Sequence, residues 1–92
     1  MKEIIEIGLS EIQKIPNSII IDIREKEEYL EQNIGGINIP AHEITTRLIE
    51  ISNKENLIIV CSNGLRSSIM ARVIHKKIPT ANVYHLSEGI FQ

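Results

Sequence analysis

The chain has 92 residues, 42% of them apolar, and a formal net charge of −2, which fits one small domain. Ten Lys and Arg against twelve Asp and Glu, with no basic run and three aromatics, leave neither a basic face nor a stacking platform for nucleic acid. No apolar run approaches the ~20 residues of a membrane span, no h-region follows Met1-Lys2-Glu3, and one cysteine cannot form an internal disulfide. The expectation is a cytoplasmic protein with no nucleic-acid or membrane partner.

In chain order, Ile4–Ile7 reads as a short edge strand. Leu9–Ile15 carries Leu9, Ile12 and Ile15 on one side of a helix, with Ser10 as a candidate N-cap ahead of Glu11. Ile19–Ile23 is a continuous apolar run, as expected of a strand covered on both faces. Glu25–Glu31 is acid-rich, as a helix N-terminal half tends to be. In Glu43–Ile51 the apolar residues Ile44, Leu48 and Ile51 recur at helical spacing. Leu57–Cys61 is a second buried strand. Ser67–Ile78 has a wide apolar stripe of Ile69, Met70, Val73, Ile74 and Ile78, which Pro79 stops. Asn82–Leu86 supplies the last strand. Strands alternating with helices predict an α/β fold, with a small parallel sheet of about four to five strands and helices on both faces. The 21 Ile, against 6 Leu and 3 Val, are read as core filling for that sheet.

In such sheets ligands sit at the carboxyl ends of the strands, which points to Asp22-Ile23-Arg24 and to the segment that starts at Cys61. Cys61-Ser62-Asn63-Gly64-Leu65-Arg66-Ser67-Ser68 places a cysteine at a strand end, then a short polar loop, an arginine and a helix start. Loop N–H groups curved around Gly64 can converge on the sulfur as an anion nest. The helix beginning near Ser67 adds its positive dipole end, with Ser67 and Ser68 as capping acceptors or local donors. Arg66 offers a permanent charge and a planar fork for an oxyanion. All of these favour thiolate over thiol, so Cys61 is expected to ionise below the free value. The bland alternative is a small buried hydrophobe at a strand end, but such a cysteine gains nothing from Ser-Asn-Gly and an Arg at the helix entrance.

The chain resembles the rhodanese-like, or sulfurtransferase, domains along nearly its whole length. Their active loop reads cysteine, three or four variable residues including a glycine, then Arg-Ser, as in Cys61-Ser-Asn-Gly-Leu-Arg66-Ser67. Their Asp-Val-Arg, acidic-aromatic pair and Gly-Ala…Ile-Pro turn are similar to Asp22-Ile23-Arg24, Glu28-Tyr29, and Ile34, Gly36 and Asn38-Ile39-Pro40. Leu86-Ser-Glu-Gly89-Ile-Phe91 is similar to their C-terminal Leu, Gly-Gly and aromatic. The departures are Gln32-Asn33 for Gly-His, a turn one residue short at Ile34-Gly35-Gly36-Ile37, Glu88 for a glycine, and an end at Gln92 where a final helix is usual. The expected organisation is one domain over residues 1–92, short at its C-terminus.

The resemblance implies that Cys61 is the nucleophile that accepts the sulfane sulfur of thiosulfate, or of a protein persulfide, as a persulfide. A thiol or cyanide then takes it, the thiol belonging to a thioredoxin-like or other sulfur-carrier protein. The loop Ser62, Asn63, Gly64, Leu65, Arg66 and Ser67 would bind the donor, with Arg66 holding its charge; no cofactor or metal is implied. Asp22 and Arg24, with Glu28, are expected to brace the loop rather than bind substrate. His42, His75 and His85 lack motif contexts and read as surface or satisfied polar groups, and Arg72 reads as solvated. An alternative is a persulfide relay or binding module that acts only with a partner protein. A rhodanese-like phosphatase is disfavoured, since its loop has five residues between cysteine and arginine and four stand here. A mercaptopyruvate-type enzyme would show Gly-Val-Thr where this chain has Gly64-Leu65-Arg66.

Overall fold

The computed structural model describes residues 3–91. Five strands form one parallel sheet: β1 (Ile5–Ile7), β2 (Ser18–Asp22), β3 (Ile37–Asn38), β4 (Asn56–Val60) and β5 (Asn82–Leu86). Their order is β1-β5-β4-β2-β3. The central pair β2–β4 runs in register from Ser18 opposite Asn56 to Asp22 opposite Val60. Each strand of a parallel pair needs a crossover, and those crossovers carry α1 (Lys26–Glu31), α2 (Leu65–Lys77) and three stretches of 3-10 helix.

The strands form where β-branched side chains can pack on a pleated surface covered from both sides. On one face Ile21, Ile23, Leu57, Ile59 and Val83 pack against Ala71, Ile74 and Ile78 at α2, and against Ile39, Ile44 and Ile51. On the other, Ile7, Ile58, Val60, Leu86 and Ile90 pack against Leu9, Ile12, Ile15 and Ile34. The isoleucines therefore fill both layers of the core. Among the described residues no helix is long and apolar enough to cross a membrane.

Three expected helices take a different form. Leu9–Ile15 is a 3-10 helix over Leu9–Lys14; Gly8 stands at its N-cap and Ser10 lies inside it, exposed, without a capping role. Six residues followed by Ile15-Pro16 are too few for an α-helix to repay its nucleation. Glu43–Ile51 is two 3-10 pieces, Ala41–Thr46 and Leu48–Glu50, broken at Arg47 (φ −124°, ψ 20°). Ile44, Thr45, Thr46 and Ile49 are β-branched and weaken an α-helix there, while Arg47 ties the pieces together through Glu43 and Glu50. Finally, α2 begins at Leu65; of the expected stripe Ile74 and Ile78 are buried and Met70 packs against the core, but Ile69 is exposed, and Ser67 and Ala71 join the buried line. The two-residue strand β3 left no apolar run to be read.

The core makes a contrast measurable by urea denaturation. Ile59 has no exposed surface, so Ile59→Ala is expected to cost ~2–5 kcal/mol. Ile49 is 85% exposed, and Ile49→Ala is expected to stay within about 0.5 kcal/mol of the parent.

Candidate active site

Cys61 follows β4 directly, at the carboxyl edge of the sheet, and is buried. The chain then turns through Gly64, which has φ 90° and stands at the N-cap of α2. A left-handed residue without a Cβ is required here, because a Cβ on Gly64 would lie 2.0 Å from the Ser87 carbonyl oxygen. A Cβ on Gly89, where φ is +80°, would lie 2.1 Å from the Ser62 carbonyl. Ile90 N–H donates to Cys61 O at 3.0 Å and Phe91 N–H to Ser62 O at 3.4 Å, locking the segment after β5 against the loop.

This turn aims donors at the sulfur. Gly64 N–H and Ser67 N–H reach Cys61 Sγ at 3.2 and 3.3 Å. Leu65 N–H goes instead to Asn63 Oδ1 at 3.1 Å, which braces the turn. Ser67 Oγ lies 3.2 Å from Sγ; the thiol donates to it, and the hydroxyl donates back once the sulfur is ionised. Ser67 is the third residue of α2 and does not cap it; its burial brings the hydroxyl to the sulfur. Burial by itself pushes the Cys61 thiol up, but hydrogen bonds from the Ser67 side chain and the Ser67, Asn63 and Gly64 backbone outweigh it, and the thiol lies below its ordinary value. Hydrogen bonds from the loop and from Ser67 are the leading causes that lower it.

Two arginines flank the loop, and both are engaged. Arg24 is buried and forks onto Asp22, Nε to Oδ1 at 3.0 Å and Nη2 to Oδ2 at 2.8 Å; Nη2 also reaches Gln32 O at 2.6 Å. Its guanidinium stands over the Phe91 ring, 5.6 Å from the centroid. Asn38 Nδ2 holds the Asp22 and Arg24 carbonyls from β3 at 3.0 and 2.8 Å. Arg66 pairs in bidentate fashion with Glu28 on α1, at 2.9 and 3.0 Å, and reaches Ser62 Oγ at 3.2 Å. Glu28 also closes a capping box with Glu25 at the start of α1, which fixes its position. The hydrogen bonds from Arg66, then the Glu25 backbone, hold the Glu28 carboxyl down to about 2. The carboxylate gives up this stabilisation only as the pH falls below its unfolded value and toward about 2, so the pair is intact at neutral pH.

A shallow cleft of about 180 Å³ opens beside the pair, lined by Arg24, Glu28, Glu31, Gln32 and Phe91. A larger one, of about 490 Å³, is lined by Lys26, Tyr29, Leu30, Asn38, Pro40, Glu43 and Arg47, and includes no residue of the Cys61 loop. Among the described residues no group of His, Cys, Asp and Glu is placed to hold a metal ion.

The structure thus brings Cys61, Asn63, Gly64 and Ser67 together at the sulfur, joins Arg66 and Ser62 to Glu28, and leaves the Leu65 side chain exposed. His85, read from the sequence as a surface or satisfied polar group, is a satisfied one, and the sequence did not single out its partner Glu6. His85 is buried on β5, with Nε2 2.7 Å from Ser67 Oγ and Nδ1 2.7 Å from Glu6 Oε1. No motif marks either residue; only the alternation of β5, once its register against β1 is known, puts them on one face. His42 is exposed beside Glu25 and Glu43, and His75 Nδ1 is buried without a hydrogen-bond partner.

Two outcomes follow from this geometry. Ser67→Ala keeps the backbone donor and removes the hydroxyl, so the pH profile of Cys61 alkylation by iodoacetamide is expected to move upward, with several-fold slower reaction at neutral pH. Asp22→Ala leaves Arg24 buried without its carboxylate and is expected to cost ~3–5 kcal/mol in chemical denaturation.

The comparisons with known proteins agree with this architecture. The family profile of the rhodanese-like domain matches residues 8–92. The putative sulfur carrier protein YrkF of Bacillus subtilis (strain 168) is 37% identical over 59 residues, which is 63% of this chain and 32% of that protein. The structure of reduced Bacillus anthracis CoADR-RHD superposes with a TM-score of 0.80 at 31% identity, over 94% of this chain and 16% of that one. An NAD-dependent persulfide reductase from A. fulgidus superposes with a TM-score of 0.72 at 34% identity, over 95% of this chain and 15% of that one. The chain therefore spans a third or less of the length of each of these relatives. With its parallel sheet, its Cys61 loop and a family match over nearly all its length, this chain belongs to the rhodanese-like domain family.

Proposed function

We propose that this domain is a persulfide carrier that works between proteins. The Cys61 thiolate attacks the outer sulfur of a donor protein's persulfide; a new S–S bond forms as the donor's S–S bond breaks, and the donor leaves as a thiolate. An acceptor thiolate then attacks the outer sulfur on Cys61, and Cys61 departs as the thiolate it was. No net oxidant or reductant is consumed, and no general acid is needed because each leaving group is a stabilised thiolate.

The observation that carries this reading is the Arg66–Glu28 pair. Thiosulfate, the small donor that the family resemblance suggests, is a dianion and needs free positive charge near the sulfur. Arg66 is neutralised by Glu28, Arg24 by Asp22, and the adjoining cleft carries Glu28 and Glu31 on its wall. The loop N–H groups can cradle one persulfide sulfur, while the two guanidiniums beside the loop each already face a carboxylate. Leu65 is 72% exposed, Ile69 follows one turn along α2, and Phe91 is exposed beside the loop. Such an apolar rim can seat a protein and contributes nothing to binding thiosulfate. The sulfur carrier and persulfide reductase names of two relatives support the same assignment.

Intact mass spectrometry tests it. A protein persulfide donor is expected to add one sulfur atom, which cyanide removes and which Cys61→Ser never acquires. Thiosulfate is expected to load the parent slowly, and Glu28→Gln, by freeing Arg66, several-fold faster. Loading from thiosulfate as fast as from the protein donor, with Glu28→Gln unchanged, would make this a free-donor sulfurtransferase instead; no loading from either would end the sulfur-transfer reading.

A further inference from the structure

Among the described residues His85 is the one buried histidine, and the sulfur-transfer steps above leave it unused. Its surroundings fix the hydrogen on Nδ1 and leave Nε2 facing a hydroxyl. Parallel pairing of β1 with β5 sets Glu6 opposite His85, so both side chains leave the sheet on the same face. The Glu6 carboxylate can only accept, and it lies 2.7 Å from Nδ1, which must carry the hydrogen. Nε2 is then a lone pair in the neutral ring, and the Ser67 hydroxyl, 2.7 Å away, donates to it. The hydroxyl oxygen is left to accept from the Cys61 thiol at 3.2 Å. Four elements contribute to one directed line of donors: Cys61 after β4, Ser67 from α2, His85 from β5 and Glu6 from β1.

The geometry points to His85 as the acceptor of the Cys61 proton, reached through the Ser67 hydroxyl and held in the right tautomer by Glu6. The S–H bond breaks as its proton passes to Ser67 Oγ, and the Ser67 proton passes to His85 Nε2. The products are a Cys61 thiolate, to which Ser67 now donates, and a His85 imidazolium whose two N–H groups face Ser67 Oγ and Glu6. No proton leaves the protein, and the thiolate–imidazolium pair is neutral as a unit. When sulfur is delivered and Cys61 departs with its electron pair, the imidazolium balances the charge that returns to the sulfur. His85 touches no reacting atom; it is a positioning and proton-holding residue that acts through Ser67.

Among the described residues of the elements packed against it, no other charged side chain faces His85. β4 carries no ionisable side chain, Glu6 is the only one on β1, and the residues that α2 buries against the sheet are Ser67, Ala71 and Ile74. On β5 itself, Tyr84 packs on the opposite face. A histidine retained only to fill space would need no carboxylate behind it and no hydroxyl between it and a thiol.

This inference rests on the reading of Cys61 as the sulfur-accepting thiolate, but its test does not need sulfur. The rate of Cys61 alkylation by iodoacetamide is measured against pH for the parent, His85→Gln and Glu6→Gln, with thermal unfolding recorded for each. His85→Gln is expected to lose about tenfold in rate near pH 6, the size of a one-unit rise in the thiol inflection. Glu6→Gln is expected to shift the profile in the same direction by less. A second measurement uses the parent protein: the side-chain nitrogen NMR signals of His85 are expected to show imidazolium while Cys61 is free, and neutral imidazole once Cys61 is alkylated. A folded His85→Gln protein with the parent's alkylation profile, or His85 signals indifferent to the state of Cys61, would overturn the relay. Persulfide loading separates the two claims: failed loading with a His85-dependent profile removes the sulfur chemistry and keeps the relay, and normal loading with an indifferent profile does the reverse.

Discussion

Two backbones pass so closely at the carboxyl edge of the sheet that neither can carry a side chain at the point of contact. Gly64 meets the Ser87 carbonyl and Gly89 meets the Ser62 carbonyl, and two hydrogen bonds join the same segments. The loop after β4 is therefore pressed into one shape by the segment after β5. That shape turns the Gly64 and Ser67 amides toward the sulfur, starts α2 at Leu65 and carries the Ser67 hydroxyl inward. The same segment continues from β5, which holds His85 beneath the loop. Cys61 chemistry thus depends on a steric fit between two turns as much as on the identity of the cysteine.

Charge is distributed to match. The sulfur is surrounded by dipoles that favour its anion, while each nearby guanidinium already faces a carboxylate. Local dipoles stabilise one extra charge on a small atom at short range and offer little to a larger polyanion approaching from solvent. On the proposed reading, a persulfide adds one sulfur to that cradle, whereas a dianionic donor would approach past Glu28 and Glu31 on the cleft wall. The Arg66–Glu28 pair also joins α1 to α2 across the mouth of the loop, so it is part of the scaffold as well.

Most of the fold was legible because buried parallel strands announce themselves as continuous apolar runs: Ile19–Ile23, Leu57–Cys61 and Asn82–Leu86 all lie within a residue of the observed strands. The helical spacing of Leu9–Ile15 and Glu43–Ile51 was real, since those residues do face the core, but spacing cannot distinguish an α-helix from short 3-10 turns rich in β-branched residues. At the site, Cys61, Gly64, Arg66 and Ser67 are contiguous and could be read as one motif. Glu28 lies 38 residues before Arg66, and His85 lies 18 after Ser67. Their contributions come from sheet order and register, which a single sequence does not display. The pairing of Arg66 with Glu28 is also the observation on which the proposal of a protein donor rests.

The central claim is that Cys61 hands sulfur from one protein to another. It is tested most directly in a single turnover: Cys61 is loaded with radioactive sulfane sulfur from a protein persulfide, the donor is removed, and a reduced thiol protein is added. The label is expected to pass to the acceptor as a persulfide, leaving Cys61 free, with no label carried by Cys61→Ser. Label that stays on Cys61 until cyanide removes it, or that enters only from thiosulfate, would contradict the account.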